Sequence, residues 1–353
     1  MQTKGISIWD NYPQEIVENI NDIKLINTKL PCIQKLQDDL FIEKLSTSIH
    51  LNEIYYLLKD HYTNQKHSIN VYSKNLLMWF FNIDKNPVLI GIREKNTNQL
   101  IGFICGITRN VQFLEKKILD VIEVNFLCIH KNYRQKYLVE ILINQLWSYK
   151  GHSHPGIFYT AKQLPLSFTF MDFLAYPINI EKLINADYFE LPQANRNQYV
   201  LKLYNFYKQT NKSNILRPVN DSDIKYIIEN LNIFYKNKIY FEIDENMLYG
   251  MLSNPDFYMF CSDDLQNFVS LYITTDINHN NEIKVGNVYL FYQSNSLISY
   301  TIQKLTNICD ILVFPCIFCN NIKGSTQYYK YNFHLFQHSS IQIDYNNNFL
   351  QIF

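Results

Sequence analysis

Two cationic side chains, Arg134 and Lys136, stand between an apolar run ending at Ile129 and an amphipathic stretch beginning at Lys136. Residues 121–129 read as a strand, 130–135 as a short basic loop, and 136–149 as a helix. In that helix Leu138, Ile141, Leu142 and Leu146 share one face. A helix starting there presents unpaired backbone N–H groups and its positive dipole end, an arrangement suited to a pyrophosphate. The same spacing also describes a solvated basic turn, and spacing alone does not separate the two.

Other reactive side chains carry less. Cys316 and Cys319 form a lone CxxC near Cys309, and zinc would need a second ligand pair that the sequence does not offer, so no metal is expected. His152 and His154 read as solvated loop residues. His130 reads as a structural hydrogen-bonding group, and Cys128 as a buried thiol rather than a nucleophile. Seven cysteines at irregular spacing give no disulfide framework and point to a reducing compartment.

The 353 residues amount to roughly two domains. Lys+Arg and Asp+Glu are 32 each, a balance that argues against a broad electrostatic grip on nucleic acid or an anionic membrane. Only nine glycines are present, which excludes a mechanism built on a glycine-rich phosphate loop. With 47% apolar and 15% aromatic residues a large core is available, and wholesale disorder is out. No signal-peptide-like apolar core opens the chain, and the apolar stretch 311–318 is broken by Pro315 and too short to span a bilayer. A soluble, cytoplasmic, monomeric protein is expected.

The elements that must position the basic loop fall in order. An arm covers residues 1–41. Helices are expected around 54–58 and over 73–80 with Ser73 as N-cap, then strands at 88–93 and 100–107 joined by a turn at 95–98. The strand–loop–helix unit follows, and a strand at 157–160 completes a β–β–β–α–β order. From Leu216 the order recurs: a helix at 224–234, strands at 257–261, 268–274 and 285–292, a helix at 299–309, strands at 311–314 and 328–333, and a terminal alternating segment, 348–353. The fold class is therefore α+β, a duplicated mixed sheet flanked by helices. Its divisions are an arm 1–41, a first domain 42–213 and a second domain 214–353.

The loop resembles the acyl-CoA loop of GNAT acyltransferases, Arg/Gln-x-x-Gly-x-Gly/Ala after a strand, with Arg134 first and Tyr137 and Val139 in place of the small residues. That departure is similar to one branch, the protein N-myristoyltransferases, tandem GNAT folds with a non-glycine loop. Residues 123–131 resemble that family's strand and oxyanion segment. Ser7-Ile8-Trp9-Asp10 with Pro13 is similar to its arm over CoA, and Tyr159-Thr160-Ala161 with Leu164-Pro165 to its next strand and loop. Leu216-Arg217-Pro218 resembles its domain junction, and residues 327–333 its late tyrosine-rich strand.

The resemblance implies transfer of myristate from myristoyl-CoA, a co-substrate rather than a prosthetic group, to the amine of an N-terminal glycine. The backbone amides of Phe126 and Leu127, in an Asn125-Phe126-Leu127 run, would stabilise the oxyanion. The Phe353 carboxylate would be the base, with Thr160 guiding the proton. Ser7, Ile8, Trp9, Phe126, Leu127, Cys128, Ile129, Arg134, Gln135, Lys136, Tyr137, Leu138 and Val139 would hold the acyl-CoA, and Tyr62, Thr160 and Phe173 the peptide. Departures are informative too. Residues 62–67 lack the family's acidic run, and Phe173-Leu174-Ala175 replaces an aromatic–Trp–His run, so weaker preference for downstream basic residues is expected. The stretch between Phe314 and Gly324 is shorter than usual, and no long basic extension precedes the arm. The alternatives are a tandem-GNAT acetyltransferase and a non-catalytic acyl-CoA or myristoyl-peptide binding protein.

Overall fold

Strand-forming runs separated by short turns dominate the chain and pair into one continuous mixed sheet. The computed structural model describes residues 15–22, 24, 35–62, 69–134, 137–151, 154–161, 164, 166–188, 198, 216–278, 281–292, 304–305, 307–318, 326–336, 339–340 and 342–351. A small parallel pair joins β1 (Glu15–Ile16) to β16 (Ser339–Ser340). The large sheet starts with β2 (Leu40–Leu45), β4 (Val88–Glu94), β5 (Leu100–Phe113), β6 (Lys116–Ile129) and β7 (Gly156–Thr160). It continues through β15 (Thr326–Phe336), β8 (Thr169–Pro177), β14 (Ile311–Pro315), β13 (Asn281–Tyr292), β12 (Phe268–Asn278), β11 (Phe257–Ser262) and β9 (Leu216–Pro218). β10 (Ile239–Phe241) adds to β5, and β3 (Ile69–Val71) to β12. The halves interlock, because β15 of the second lies between β7 and β8 of the first.

The duplicated order is visible in the pairing. β4, β5 and β6 are antiparallel, as are β11, β12 and β13, and each trio ends in a short parallel contact. β6 meets β7 only at Ile122–Gly156 and Glu123–Ile157, and β13 meets β14 only from Val285–Ile311 to Asn287–Val313. Beyond those pairs the strands diverge, leaving a cleft in each half. The second cleft is filled from within: Phe349, Leu350 and Gln351 lie among Met171, Phe173, Tyr289 and Phe291.

Six helices cover the sheet among the described residues: α1 (Thr47–His61), α2 (Lys74–Phe81), α3 (Leu138–Lys150), α4 (Ile180–Asn185), α5 (Ile224–Phe234) and α6 (Glu245–Leu252). Ser73 caps α2 as expected, its Oγ accepting from the Leu76 amide at 3.0 Å, and Asp244 does the same for α6 through Met247. The expected face of α3, Leu138, Ile141, Leu142 and Leu146, is buried against β4 to β6 together with Trp147. The sequence reading omitted β8, although its burial alternates from Thr169 to Ala175. It also omitted β3, β10, α4 and α6, each eight residues or fewer. The helix expected at 299–309 lies largely outside the described residues. Of the expected terminal strand, 348–353, the described residues 348–351 form a single bridge, Asn348 with Ile239. There the Asn348 side chain accepts from the Leu350 amide at 3.1 Å, a local turn that ends the extended run.

The C-terminal end of α3 is stapled to the sheet. Lys150 Nζ donates to Asp84 Oδ2 (2.8 Å), Thr108 Oγ1 (2.6 Å) and the Asn86 carbonyl (3.0 Å). Burial pushes the Asp84 carboxyl up, but Lys150 and the Asn86 and Thr108 amides outweigh it and hold it below the usual range. A depressed folded-state pKa gives stability that is full above about pH 4 and lost as pH falls through the folded value. Asp84→Asn is expected to cost about 2–3 kcal/mol at pH 7 in denaturant unfolding, with the gap to wild type closing on acidification. A gap that is constant from pH 7 to pH 3 would show that the charge is idle.

Candidate active site

The open cleft of the first half is shaped by a bulge in β6. Phe103 pairs with Cys128 and Cys105 with Asn125, so Phe126 and Leu127 together face one residue of β5 and have no register partner there. Phe126 takes φ +56°, a left-handed conformation rarely held by a non-glycine residue. The kink places Phe126 with Cys128 in one core cluster and Leu127 against the other face of the sheet. Cys128 is buried, its thiol pushed up to about 12 by burial, and it approaches the Leu57 carbonyl, which makes it a packing residue.

Aromatic packing holds the kink. The Phe126 ring is 1% exposed and lies among Tyr62, Tyr72, Phe80 and Phe81, with centroids 5.4–5.9 Å away. Left-handed backbone costs a non-glycine residue about 1–2 kcal/mol, whereas removing a fully buried Phe costs about 3–5 kcal/mol. The packing wins.

The cleft encloses about 230 Å³ and is lined by Tyr62, Val124, Asn125, Phe126, Leu127, Ile143, Trp147, Phe158, Tyr159 and Thr160. Five of the expected residues, Tyr62, Asn125, Phe126, Leu127 and Thr160, therefore meet around one cavity. Trp147 forms a wall because Gly156 has no side chain: a Cβ there would sit 2.5 Å from the indole. Burial raises the Tyr62 phenol above its ordinary range, and a backbone hydrogen bond at Phe126 works against that rise. The expected Phe173 is not on this cavity but lines the second cleft, beside Tyr331.

At the mouth of the cleft, Arg134 donates to the carbonyls of Ile129 and His61, which fixes the turn leaving β6. Tyr137 follows at φ +54° as the residue preceding α3 and gives the helix no side-chain cap. It thus keeps the left-handed turn at the position where the GNAT pattern has its first glycine, and its ring is exposed to accommodate this. Leu138 and Val139 begin α3. His130 acts locally, its Nδ1 accepting from Asn132, with its ring 3.9 Å from that of His61. His154 is half-buried, not solvated, with its carbonyl accepting from Trp147 Nε1. Ser7, Ile8, Trp9, Gln135, Lys136 and Phe353, and the peptide-run residues 63–67, lie outside the described residues. Gln351 is described: it is 4% exposed, and its Nε2 donates to the Phe349 carbonyl.

Two arrangements beside the cavity are set by the fold rather than by spacing along the sequence. Tyr62, Tyr72, Tyr159, Tyr272 and Tyr331 cluster beside the bulge, and burial raises their phenols, with neighbouring tyrosines adding to the rise in all but Tyr62, where Cys128 adds to it, so this interior is neutral. A buried ion pair also lies behind it. Arg109 Nη1 contacts Glu123 Oε2 at 3.2 Å, and Glu123 Oε1 accepts from Asn125 Nδ2 at 2.9 Å. Burial raises the Glu123 carboxyl, and Arg109 opposes the rise. The available signal was Arg109, the one cation of β5, and Glu123, an anion set in the apolar run 121–129 of the adjacent strand. Among the described residues no group of three His, Cys, Asp or Glu side chains is arranged to hold a metal.

Phe126→Gly is expected to release the backbone strain and still lose about 2–3 kcal/mol of stability, by the balance of ring packing over strain given above. Equilibrium urea unfolding checks this, and a stabilised variant would show that the aromatic packing does not hold the kink.

Comparison with known proteins agrees with this geometry. A family model described as the N-terminal domain of myristoyl-CoA:protein N-myristoyltransferase matches residues 21–167. A probable glycylpeptide N-tetradecanoyltransferase of Caenorhabditis elegans is 24% identical over 323 residues, covering 82% of this chain and 71% of that one. The Candida albicans glycylpeptide N-tetradecanoyltransferase is 26% identical over 246 residues, covering 66% of this chain and 52% of that one, so the match spans about half of that relative. The crystal structure of Saccharomyces cerevisiae N-myristoyltransferase with bound myristoyl-CoA superposes with a TM-score of 0.83 at 18% identity, covering 99% of this chain and 100% of that one, which shows a shared fold. The chain is thus similar to the myristoyl-CoA:protein N-myristoyltransferases, over residues 21–167 by the family model and more widely to the curated relatives, and it shares their fold.

Proposed function

We propose that the protein transfers a myristoyl group from myristoyl-CoA to the amine of an N-terminal glycine, acting as a monomer in a reducing, cytoplasmic setting. The observation that carries this reading is the β6 bulge at the lip of a closed-backed cleft. There the amides of Phe126 and Leu127, at the bulge where neither residue pairs in register with β5, would turn to the thioester oxygen, the Phe126 amide giving up the hydrogen bond that it makes to the Tyr62 phenol. Two preorganised donors of this kind contribute about 3–4 kcal/mol each to lowering the barrier. The diphosphate would lie over the turn at Arg134 and the uncapped start of α3, with Gln135 and Lys136 beside it and Ser7, Ile8 and Trp9 across it.

The amine attacks the thioester carbonyl carbon, the C–N bond forms, and negative charge builds on oxygen against the two amides. The C–S bond then breaks as the carbonyl re-forms, and CoA leaves as a thiolate that takes up a proton. Before the attack the Phe353 carboxylate takes one proton from the ammonium by way of Thr160, leaving the neutral amine, and the second proton, lost as the amide forms, is the one that the CoA thiolate takes up. An α-amine near 8 and a solvated terminal carboxylate near 3.5 differ by about 4–5 units, a mismatch that burial of the carboxylate narrows. The inward course of Phe349 to Gln351 supports this assignment. Tyr62 and Thr160, with Phe173 further along, would receive the peptide. The neutral tyrosine interior supports weak selection for basic residues downstream of the glycine.

Thiol release and peptide mass, measured with a glycine-initiated peptide, test the reading. The myristoyl chain has 12 methylenes more than acetyl, and at ~0.8 kcal/mol each its burial can contribute about 10 kcal/mol. Acetyl-CoA is therefore expected to support turnover at least about a hundredfold less well. Equal use of acetyl-CoA would make the protein a short-chain acetyltransferase, and donor binding with no thiol release would make it a binding protein. Residues appended after Phe353 are expected to abolish turnover and spare donor binding. Unchanged turnover would remove the terminal carboxylate as base.

A further inference from the structure

We propose that Arg109 and Glu123 form a positioning pair that sets the orientation of the Asn125 side-chain amide at the acyl cavity, a role that rests on the acyl-transfer reading above. Asn125 lines the cavity, whereas Arg109 and Glu123 do not and are 6% and 2% exposed. Glu123 Oε1 accepts from Asn125 Nδ2 at 2.9 Å. Turning that amide over would set its carbonyl oxygen against a carboxylate, so one orientation is imposed, and Oδ1 becomes the end offered to an N–H donor. An incoming amine is such a donor. The second carboxylate oxygen, Oε2, is engaged by Arg109 at 3.2 Å, which leaves Glu123 no freedom to rotate.

Arg109 is in turn anchored by the second half of the chain. Its Nη2 donates to the Glu242 carbonyl at 3.2 Å, its guanidinium lies 4.5 Å from the Phe241 ring centroid, and it hydrogen-bonds the Tyr289 phenol. Tyr289 sits where β13 bulges against β12, between Val288 and Leu290, the counterpart of the bulge in β6. The pair thus links the two bulges, and the acceptor at the first cleft takes its reference from the second half.

The test uses the full chain. Glu123→Gln keeps size but offers Asn125 either an acceptor or a donor, so the amide loses its single orientation. The expected result is a fall in kcat of about tenfold or more, with KM for myristoyl-CoA within about twofold of wild type. In an Asn125→Ala background the added E123Q change is expected to lower the residual kcat no further. Because E123Q leaves Arg109 as a buried unpaired cation, a second variant, Arg109→Met/Glu123→Gln, removes both charges, and it should fold and show the same fall in kcat. Wild-type kcat in either variant, or losses that multiply in the N125A background, would overturn the proposal while leaving acyl transfer intact. A ¹⁵N-asparagine spectrum of the unliganded protein gives a readout independent of turnover. The Asn125 side-chain resonance, identified by its absence in N125A, should shift in E123Q, and an unmoved resonance overturns the pair. Should wild type release no thiol, the acyl-transfer reading falls and this spectrum decides the orientation alone.

Discussion

A buried benzyl side chain holds its own backbone in a conformation the backbone resists. Phe126 stays left-handed because its ring is packed among Tyr62, Tyr72, Phe80 and Phe81, drawn from the residue after α1, the residue after β3, and α2. The kink that results takes two successive residues out of the β5–β6 ladder and opens the cleft beside β7. On the proposed reading, preorganisation is stored in packing: the hydrophobic core would supply the energy that the bulge converts into oriented amides. The helices over this face of the sheet would therefore bear directly on the proposed chemistry, although of the four packing rings only that of Tyr62, just past α1, lines the cavity.

Duplication explains why one cleft is open and the other closed. Both halves end their antiparallel trio in a brief parallel contact and both carry a bulge just beyond it, at Phe126–Leu127 and at Tyr289. In the second half Phe349 to Gln351 occupy the space between the diverging strands. The first half has Gly156 and Trp147 at the equivalent wall and keeps its cavity. The repeated geometry thus holds two kinds of content, an open cavity and a segment of the chain itself.

Much of this was legible in the sequence. The α3 face and the Ser73 cap follow from periodicity and cap chemistry, signals carried by neighbouring residues. The Asn125-Phe126-Leu127 run was found by resemblance, and nothing in those three residue types announces a left-handed kink. Arg109 and Glu123 were invisible as a pair because strand register, not sequence distance, brings them together. β8 went unread although its alternation is regular, since Phe173 to Ala175 drew attention as peptide contacts. Tyr137 shows the opposite case: the substitution was evident, but its consequence, a tyrosine keeping a glycine-like turn, appears only in the backbone. Phe173 illustrates a further limit, because it belongs to the closed cleft and not to the open one.

The insertion of β15 between β7 and β8 has a consequence for biogenesis. On a ribosome, β7 and β8 emerge with their facing edges unpaired, and their shared partner follows about 150 residues later. At 5–20 residues per second that interval lasts about 7–30 s. Throughout it the nascent chain presents open hydrogen-bonding edges flanked by apolar side chains, a template for mispairing or for holdase capture. Native topology is sealed only when the late tyrosine-rich strand threads into place, so translation through the second half governs when the first becomes competent.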